Sequence, residues 1–425
     1  MPLPHSLRAL GSPNFRRYYT GQAVSMIGTW VQSVALMWLA YRLSDSTWFT
    51  GLVGFLQSVP HLFLAPFAGV LGDRVNRRKL LMTVLTLLAL QSTALAILAG
   101  TDLITLPQIA ALALMAGILN AFETPTRQSI FIQLLDRRED LPNAIALNSM
   151  LMNGTRLIGP SIGGLLIALF SEAVCFALNA ASYFAVVGAL WYVHLPPRNA
   201  RAPSHPLADL AEGWRYAMGM LPVRRMLFTL ALVSFAVSPY STLMPAMAVK
   251  TFGQGAGLVG LLIGAVGLGA FASAVTLARR PSVRGLARWL PAAAIIAGLG
   301  SFGFGLSTNV YVSMALMAMV GFGMFMTGAA CNTIIQTVVD EEKRSRVMSY
   351  YTMFFIGAAP FAHLAAGWLA NHIGVQATFI VGGALALAAG LAFHAQLPAF
   401  RAALRPAYVT RGIIPASEPS DARNS

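Results

Sequence analysis

Runs of about twenty predominantly apolar residues recur along this chain, separated by short basic stretches, and no other feature of the sequence limits its fold so tightly. A helix rising 1.5 Å per residue needs about twenty residues to cross the ~30 Å hydrocarbon layer of a bilayer. Twelve such windows read as spans near 18–42, 49–72, 80–99, 104–126, 144–170, 173–194, 224–249, 257–279, 287–307, 310–336, 347–370 and 374–396. Composition agrees: 56% of residues are hydrophobic and 10% charged, where a soluble domain carries about a quarter charged residues. The predicted fold is an all-α membrane protein of twelve transmembrane helices.

The net charge of +14 would suit nucleic-acid binding only if the cations gathered on one solvated face. Instead they fall between the apolar runs, after every second span. All Lys and Arg except Arg42, Arg156 and Lys250 lie on one side by this count, so the positive-inside rule puts both termini in the cytoplasm of a multi-pass protein of the bacterial inner membrane. Nucleic acid is therefore not an expected partner; lipid is. Cys175 and Cys331 both sit inside apolar runs, which gives neither a disulfide framework nor a metal-ligand spacing, and no metal or cofactor is expected. Residues 1–17 hold no apolar core ahead of a small-residue cleavage site, so no removable leader is expected.

The longest internal connection, 195–223, is rich in Pro and Arg and holds a candidate surface helix from Leu207 to Met218. It divides the chain into a cytoplasmic segment 1–17, a six-helix half 18–194, the connection, a second half 224–396 and a polar, Pro-rich tail 397–425 that reads as disordered. Gln133 to Asp136 with Gly159-Pro160 finds a counterpart about one half later in Gln336 to Asp340 with Ala359-Pro360. Repeated halves are one way to build a transporter around a midplane site.

After span two the chain reads Gly69-Val70-Leu71-Gly72-Asp73-Arg74-Val75-Asn76-Arg77-Arg78-Lys79. This resembles the cytoplasmic loop signature of the major facilitator superfamily, G-x-L-x-D-R-x-G-R-[KR], with Asn76 where the family has Gly; Asn tolerates a left-handed turn, so the loop shape is expected to persist. The resemblance implies a conformational latch formed by Gly69, Gly72, Asp73, Arg74, Arg77 and Arg78. Orienting charges would explain the arginines, but they would not ask for Asp73 at a helix end or for glycines that allow close helix approach. Span five, with Gly154, Gly159-Pro160 and Gly163-Gly164, resembles the Gly-Pro signature of the superfamily's export members. There Pro160 removes a helical hydrogen bond and the glycines thin the helix, permitting a bend or tight packing. Gly28-Thr29-Trp30-Val31-Gln32, Ala121-Phe122-Glu123-Thr124-Pro125, Asn143-Ala144 and Leu243-Met244-Pro245 are similar to the branch holding enterobactin and macrolide exporters.

Polar periodicity marks candidate cavity residues. Gln22, Ser25, Thr29 and Gln32 form one stripe on span one, and Ser234, Ser238 and Ser241 another on span seven. The resemblance makes these spans cavity-lining; packing between helices is the competing role for small polar residues. Glu123 is the one acid clearly inside an apolar run and Arg156 the corresponding base, and intramembrane charges are functional candidates by default. A direct pair between them would span a gap of about 12 Å along the membrane normal; a local Glu123–Arg127 pair four residues apart is the alternative.

These features together lead to the expectation of a secondary transporter, acting as a monomer, that exports a small organic molecule and takes protons as its coupling ion through Glu123. No G-x-x-x-x-G-K-[ST] nucleotide loop and no catalytic motif is present to suggest a pump driven by ATP or an enzyme. A facilitator or importer on the same fold, or a transport-dead receptor, are the alternatives.

Overall fold

The computed structural model describes residues 5–193, 206–280 and 282–415. Sixteen α-helices follow one another: α1 (Pro13–Ser44), α2 (Thr47–Arg74), α3 (Arg77–Gly100), α4 (Leu106–Phe131), α5 (Leu141–Leu169), α6 (Glu172–Trp191), α7 (Pro206–Gly219), α8 (Leu221–Val237), α9 (Tyr240–Lys250), α10 (Ala256–Ala278), α11 (Trp289–Leu306), α12 (Val310–Val338), α13 (Glu341–Ile356), α14 (Ala359–Ile373), α15 (Val375–Ala395) and α16 (Leu397–Thr410). Among the described residues ten helical stretches are long and apolar enough to cross a membrane, α8–α9 and α13–α14 each counting as one. With α2 and α5, of 28 and 29 residues, they make up the twelve spans.

Two of those spans are broken. Ser238 and Pro239 separate α8 from α9, and Gly357 and Ala358 separate α13 from α14. The second break arises because Pro360 opens α14 without an N–H to give back to the preceding turn. Ser234 of α8 donates its hydroxyl to the Phe355 carbonyl at 2.7 Å, supplying a bond to the backbone beside the interruption, as membrane helices require. The matching Pro160 behaves differently, lying inside a continuous α5.

The contacts sort the chain into two compact units, Met1–Ala202 with Ser241–Gly264 and Pro203–Tyr240 with Ala265–Ser425, so the division does not follow the central connection alone. In the first unit, α1 packs on α5 and α6, α3 on α6 and α4, and α2 on α4. The start of α10 joins this unit because α5 and α10 meet backbone to backbone: a Cβ placed on Gly164 would stand 2.8 Å from the Gly260 Cα. In the second unit, α11 packs on α15 and α12, and α8 on α15 and α13. Lipid tails give helices no hydrophobic reason to associate, so such seams depend on small residues and shape.

Each unit also ties the stretch before a first span to the loop after a fourth. In the first, Arg8 pairs with Asp140 at 3.2 Å, the Ala9 N–H donates to Asn143 Oδ1 at 2.9 Å, and Ser12 Oγ accepts from the Asp136 N–H. In the second, α7 occupies the expected surface-helix position: Glu212 pairs with Arg346 at 2.6 Å, Tyr216 donates to Asp340 at 3.0 Å, and Trp214 lies against Tyr350 and Phe354.

The tail departs from the expectation of disorder. Residues 397–410 form α16, with Leu397, Phe400, Leu404 and Tyr408 buried on one face, and Arg411 beyond it donates to the Val339 carbonyl at 3.0 Å. The spacing of those four residues is helical, a regularity that average polarity and proline content conceal. Residues 416–425 of the expected tail lie outside the described residues.

Candidate functional site

Glu123 takes the partner four residues on. Its Oε1 lies 2.8 Å from Arg127 Nε, with side chains only 11% and 13% exposed, and Thr124 donates to the other carboxylate oxygen at 3.2 Å. Two turns of α4 thus hold an ion pair almost out of solvent. Arg156, the other candidate, lies over the Trp30 ring, 5.9 Å from its centroid.

A cavity of about 170 Å³ opens beside the pair, with Tyr18, Gln22, Arg127, Gln128, Ile145 and Asn148 among its walls. The Tyr18 side chain is buried, and its hydroxyl has no hydrogen-bond partner among the described residues. Neighbouring Tyr19 is fixed by donating to the Leu147 carbonyl at 3.0 Å. From Asn148, whose Nδ2 reaches Met152 Sδ at 3.7 Å, one face of α5 continues in four-residue steps to Arg156. Gln22, Gln128 and Asn148 thus bring donors and acceptors to the cavity beside Arg127.

The span-one stripe does not act as one surface. Gln22 lines the cavity, while the upper part locks helices together: Thr29 donates to the Ser25 carbonyl at 2.9 Å and meets Tyr183 OH at 3.4 Å. Gln32 accepts from Asn179 at 2.8 Å and donates to Gln91 at 3.3 Å. Thr29 and Gln32 thus direct their side chains to contacts between helices, where α6 presents Tyr183 and Asn179 and α3 presents Gln91, while Ser25 is buried. Ser234 is committed to Phe355. Ser238, at the C-terminus of α8, is buried with a hydroxyl unpartnered among the described residues, and Ser241 falls in the first unit, half-buried.

The glycines of α5 divide in the same way. Cβ atoms on Gly159 and Gly163 would stand 2.6 Å from Trp30 Cβ and 3.1 Å from Val31 Cα, so both seat α1, and Gly164 seats α10. Gly154 has nothing within 4 Å and does not belong to these seams. Of the latch residues, Gly69, Gly72, Asp73 and Arg74 close α2 where side chains lie outside the described residues. Arg78 donates to the carbonyls of Leu190, at 2.8 Å, and Trp191, tying the start of α3 to the end of α6. Arg77 is half-buried in the first turn of α3. Asn76 is not left-handed. At φ −64° and ψ 108° it is extended, and its side chain accepts from the Lys79 N–H as an N-cap.

Tyr18 and Asn148 lie inside the expected spans and Gln128 just beyond the fourth; the spacing of Tyr18 four residues before Gln22, and of Asn148 two such steps before Arg156, was the one signal for the first two, and Gln128 had none. Among the described residues no group of three His, Cys, Asp or Glu side chains could hold a metal ion.

Residues 5–411 match the model of the transmembrane secretion effector family. The chain belongs to this family. Transmembrane secretion effectors fall in the major facilitator superfamily, and this one is a membrane transporter. It is 22% identical over 378 residues to the staphyloferrin A transporter of Staphylococcus aureus, covering 89% of this chain and 94% of that one. It is 25% identical over 398 residues to the multidrug efflux pump Tap of Mycobacterium tuberculosis, covering 88% and 91%, and 26% identical over 346 residues to the enterobactin exporter EntS of Escherichia coli, covering 80% and 81%. Among solved structures, a POT family transporter in complex with 5-aminolevulinic acid superposes with a TM-score of 0.71 at 14% identity, over 92% of this chain and 97% of that one. A bacterial Spinster homologue matches at 0.67 and 14%, over 95% and 99%. At such identities these structures speak for the effector's fold.

Proposed function

We propose that this transporter exports a small organic molecule in exchange for protons by alternating access, from the bacterial inner membrane with both termini in the cytoplasm and as a monomer. The observation that carries the reading is the nearly buried Glu123–Arg127 pair, whose Arg127 stands at the wall of a cavity that Tyr18, Gln22, Gln128 and Asn148 also line. The staphyloferrin A, multidrug and enterobactin names of its relatives support a small organic cargo and, for two of them, the outward direction.

Ionised, Glu123 holds Arg127 in place. A proton on Glu123 removes that attraction and frees the guanidinium toward Tyr18, Gln22 and Asn148, so the two protonation states favour different arrangements of the cavity. Exchange requires that cargo and proton exclude one another. An anion that drew Arg127 away would instead raise the affinity of Glu123 for a proton and couple both in the same direction. The cavity beside the pair therefore suits a neutral or cationic part of the cargo, and any anionic part would be held elsewhere, by Arg156 over Trp30.

Proteoliposome flux under an imposed pH gradient tests this. Wild type accumulates cargo against its gradient and Glu123→Gln, fixed in the neutral form, does not, while retaining downhill exchange. Equal responses of the two proteins remove Glu123 as the coupling site, and a wild type indifferent to the gradient makes the protein a facilitator.

A further inference from the structure

Gln22 is 8% exposed and its side chain makes no hydrogen bond among the described residues. Its amide is not sealed off, since neither atom is among the fully enclosed ones, and it lines the cavity of about 170 Å³ in the first unit. A carboxamide offers an acceptor oxygen and two N–H donors, and burying them without partners costs free energy. Gln128 and Asn148 bring two more amides to the same cavity, of which Asn148 places one donor on Met152 Sδ at 3.7 Å. The only hydrogen bond of Arg127 among the described residues runs from Nε to Glu123, so both Nη groups remain for the cavity that Arg127 lines.

Water could serve all of these groups, but it would not ask for the aromatic part of the wall. Tyr19 and Phe131 supply that part, and both rings are held from behind. Phe15 stacks on Tyr19 with centroids 5.5 Å apart and meets Phe131 edge-on at 5.4 Å, while the Tyr19 hydroxyl is tied to the Leu147 carbonyl at 3.0 Å. Fixed rings and unpartnered amides thus share one small space. A cavity of about 150 Å³ takes benzene, so the room here is that of one six-membered ring with a small substituent.

Arg127 is the only charged side chain of this lining, and Glu123 neutralises it. A carboxylate would compete with Glu123 for the guanidinium and an ammonium would be repelled by it, which leaves a neutral group. A sugar ring of equal size carries hydroxyls around its rim, and those set against Tyr19, Phe131 and Ile145 would lose water without gaining a partner. An aromatic ring suits those walls, and a carboxamide on it meets the amides donor to acceptor.

We infer that this cavity takes a six-membered aromatic ring bearing a neutral carboxamide, as one part of the cargo. The inference rests on the reading of the cavity beside Glu123 and Arg127 as a place where cargo sits.

Saturation-transfer difference NMR of the full chain in detergent, with benzamide as the probe, reads the site without a gradient. Wild type gives a saturable ring-proton signal above that of empty micelles, with a Kd on the order of 1 mM. Gln22→Leu, close in size but without the amide, weakens binding about fivefold, the worth of one neutral hydrogen bond. Ile145→Trp, at a position 51% exposed, abolishes binding by filling the space and carries the test should Gln22→Leu not fold. Gln336→Leu, which removes an exposed amide of the second unit, leaves binding unchanged. Benzoate, benzylammonium and glucose each bind more weakly than benzamide, by about fivefold or more. A wild type without a saturable signal, undiminished binding by Gln22→Leu or Ile145→Trp, or a charged or sugar probe that equals benzamide overturns the inference. Benzamide binding by wild type supports the site even where flux ignores the pH gradient, and its absence overturns the site even where flux follows pH.

Discussion

Removing Arg127 should be more damaging than removing both members of its ion pair. In Arg127→Met the Glu123 carboxylate stays in a site 11% exposed with the Thr124 hydroxyl still donating to it. Breaking a fully buried pair from one side costs about 3–5 kcal/mol, because the surviving charge is desolvated without compensation. The residual exposure of both side chains and the Thr124 bond reduce this to roughly 2–3 kcal/mol. Glu123→Gln leaves Arg127 with a neutral amide that still accepts a hydrogen bond, and should cost less, about 1–2 kcal/mol. Glu123→Gln/Arg127→Met removes both charges and should recover most of the loss. Thermal unfolding of the four purified proteins in one detergent closes the double-mutant cycle; Arg127→Met is expected to melt about 2–3 °C below wild type, with the double variant in between. If Arg127→Met and the double variant melt together, or if the single losses simply add, the pair is not energetically coupled and the argument built on it fails.

Three further outcomes are expected. Gly159→Leu forces a side chain into Trp30, whose Cβ would lie 2.6 Å from even a Cβ there; membrane insertion should survive while transport falls at least tenfold, and unchanged cysteine labelling of the cavity would make the seam purely structural. Arg156→Met should abolish flux of a cargo with an anionic group and Arg156→Lys only impair it, since Lys keeps the charge without the planar fork; wild-type flux in the Met variant would place recognition elsewhere. Asp73→Asn should insert normally yet transport poorly, and normal flux at equal abundance would remove the latch role.

Span positions could be read from the sequence because about twenty apolar residues in succession have few alternatives to a crossing helix. Interruptions were harder to see. Pro160 and Pro360 stand at matching places in the repeat, yet one lies within a helix and the other begins one, and the difference rests on Gly357 and on Ser234 a hundred residues away. The Glu123–Arg127 pair was visible as an i, i+4 spacing, whereas the fate of Thr29 and Gln32 depended on Asn179 and Gln91, whose arrival at the same level is a property of helix register. Asn76 was read by its tolerance of positive φ when its side chain serves the next helix as a cap. α16 was hidden because its prolines, and the polar residues that follow it to 425, dominate a reading of the tail as one stretch.

The ties made by Arg8 with Asp140 and by Glu212 with Arg346 have a consequence for how the protein comes off the ribosome. Each joins a segment translated before a first span to a loop translated after a fourth, within the same round of membrane insertion. The knot in the first can close as soon as Asn143 leaves the exit tunnel, long before α7 exists. Errors in inserting spans one to four would misplace one partner of that knot on the wrong side of the bilayer, leaving Arg8 and Asp140 visible to quality-control proteases while the rest of the chain is still being made.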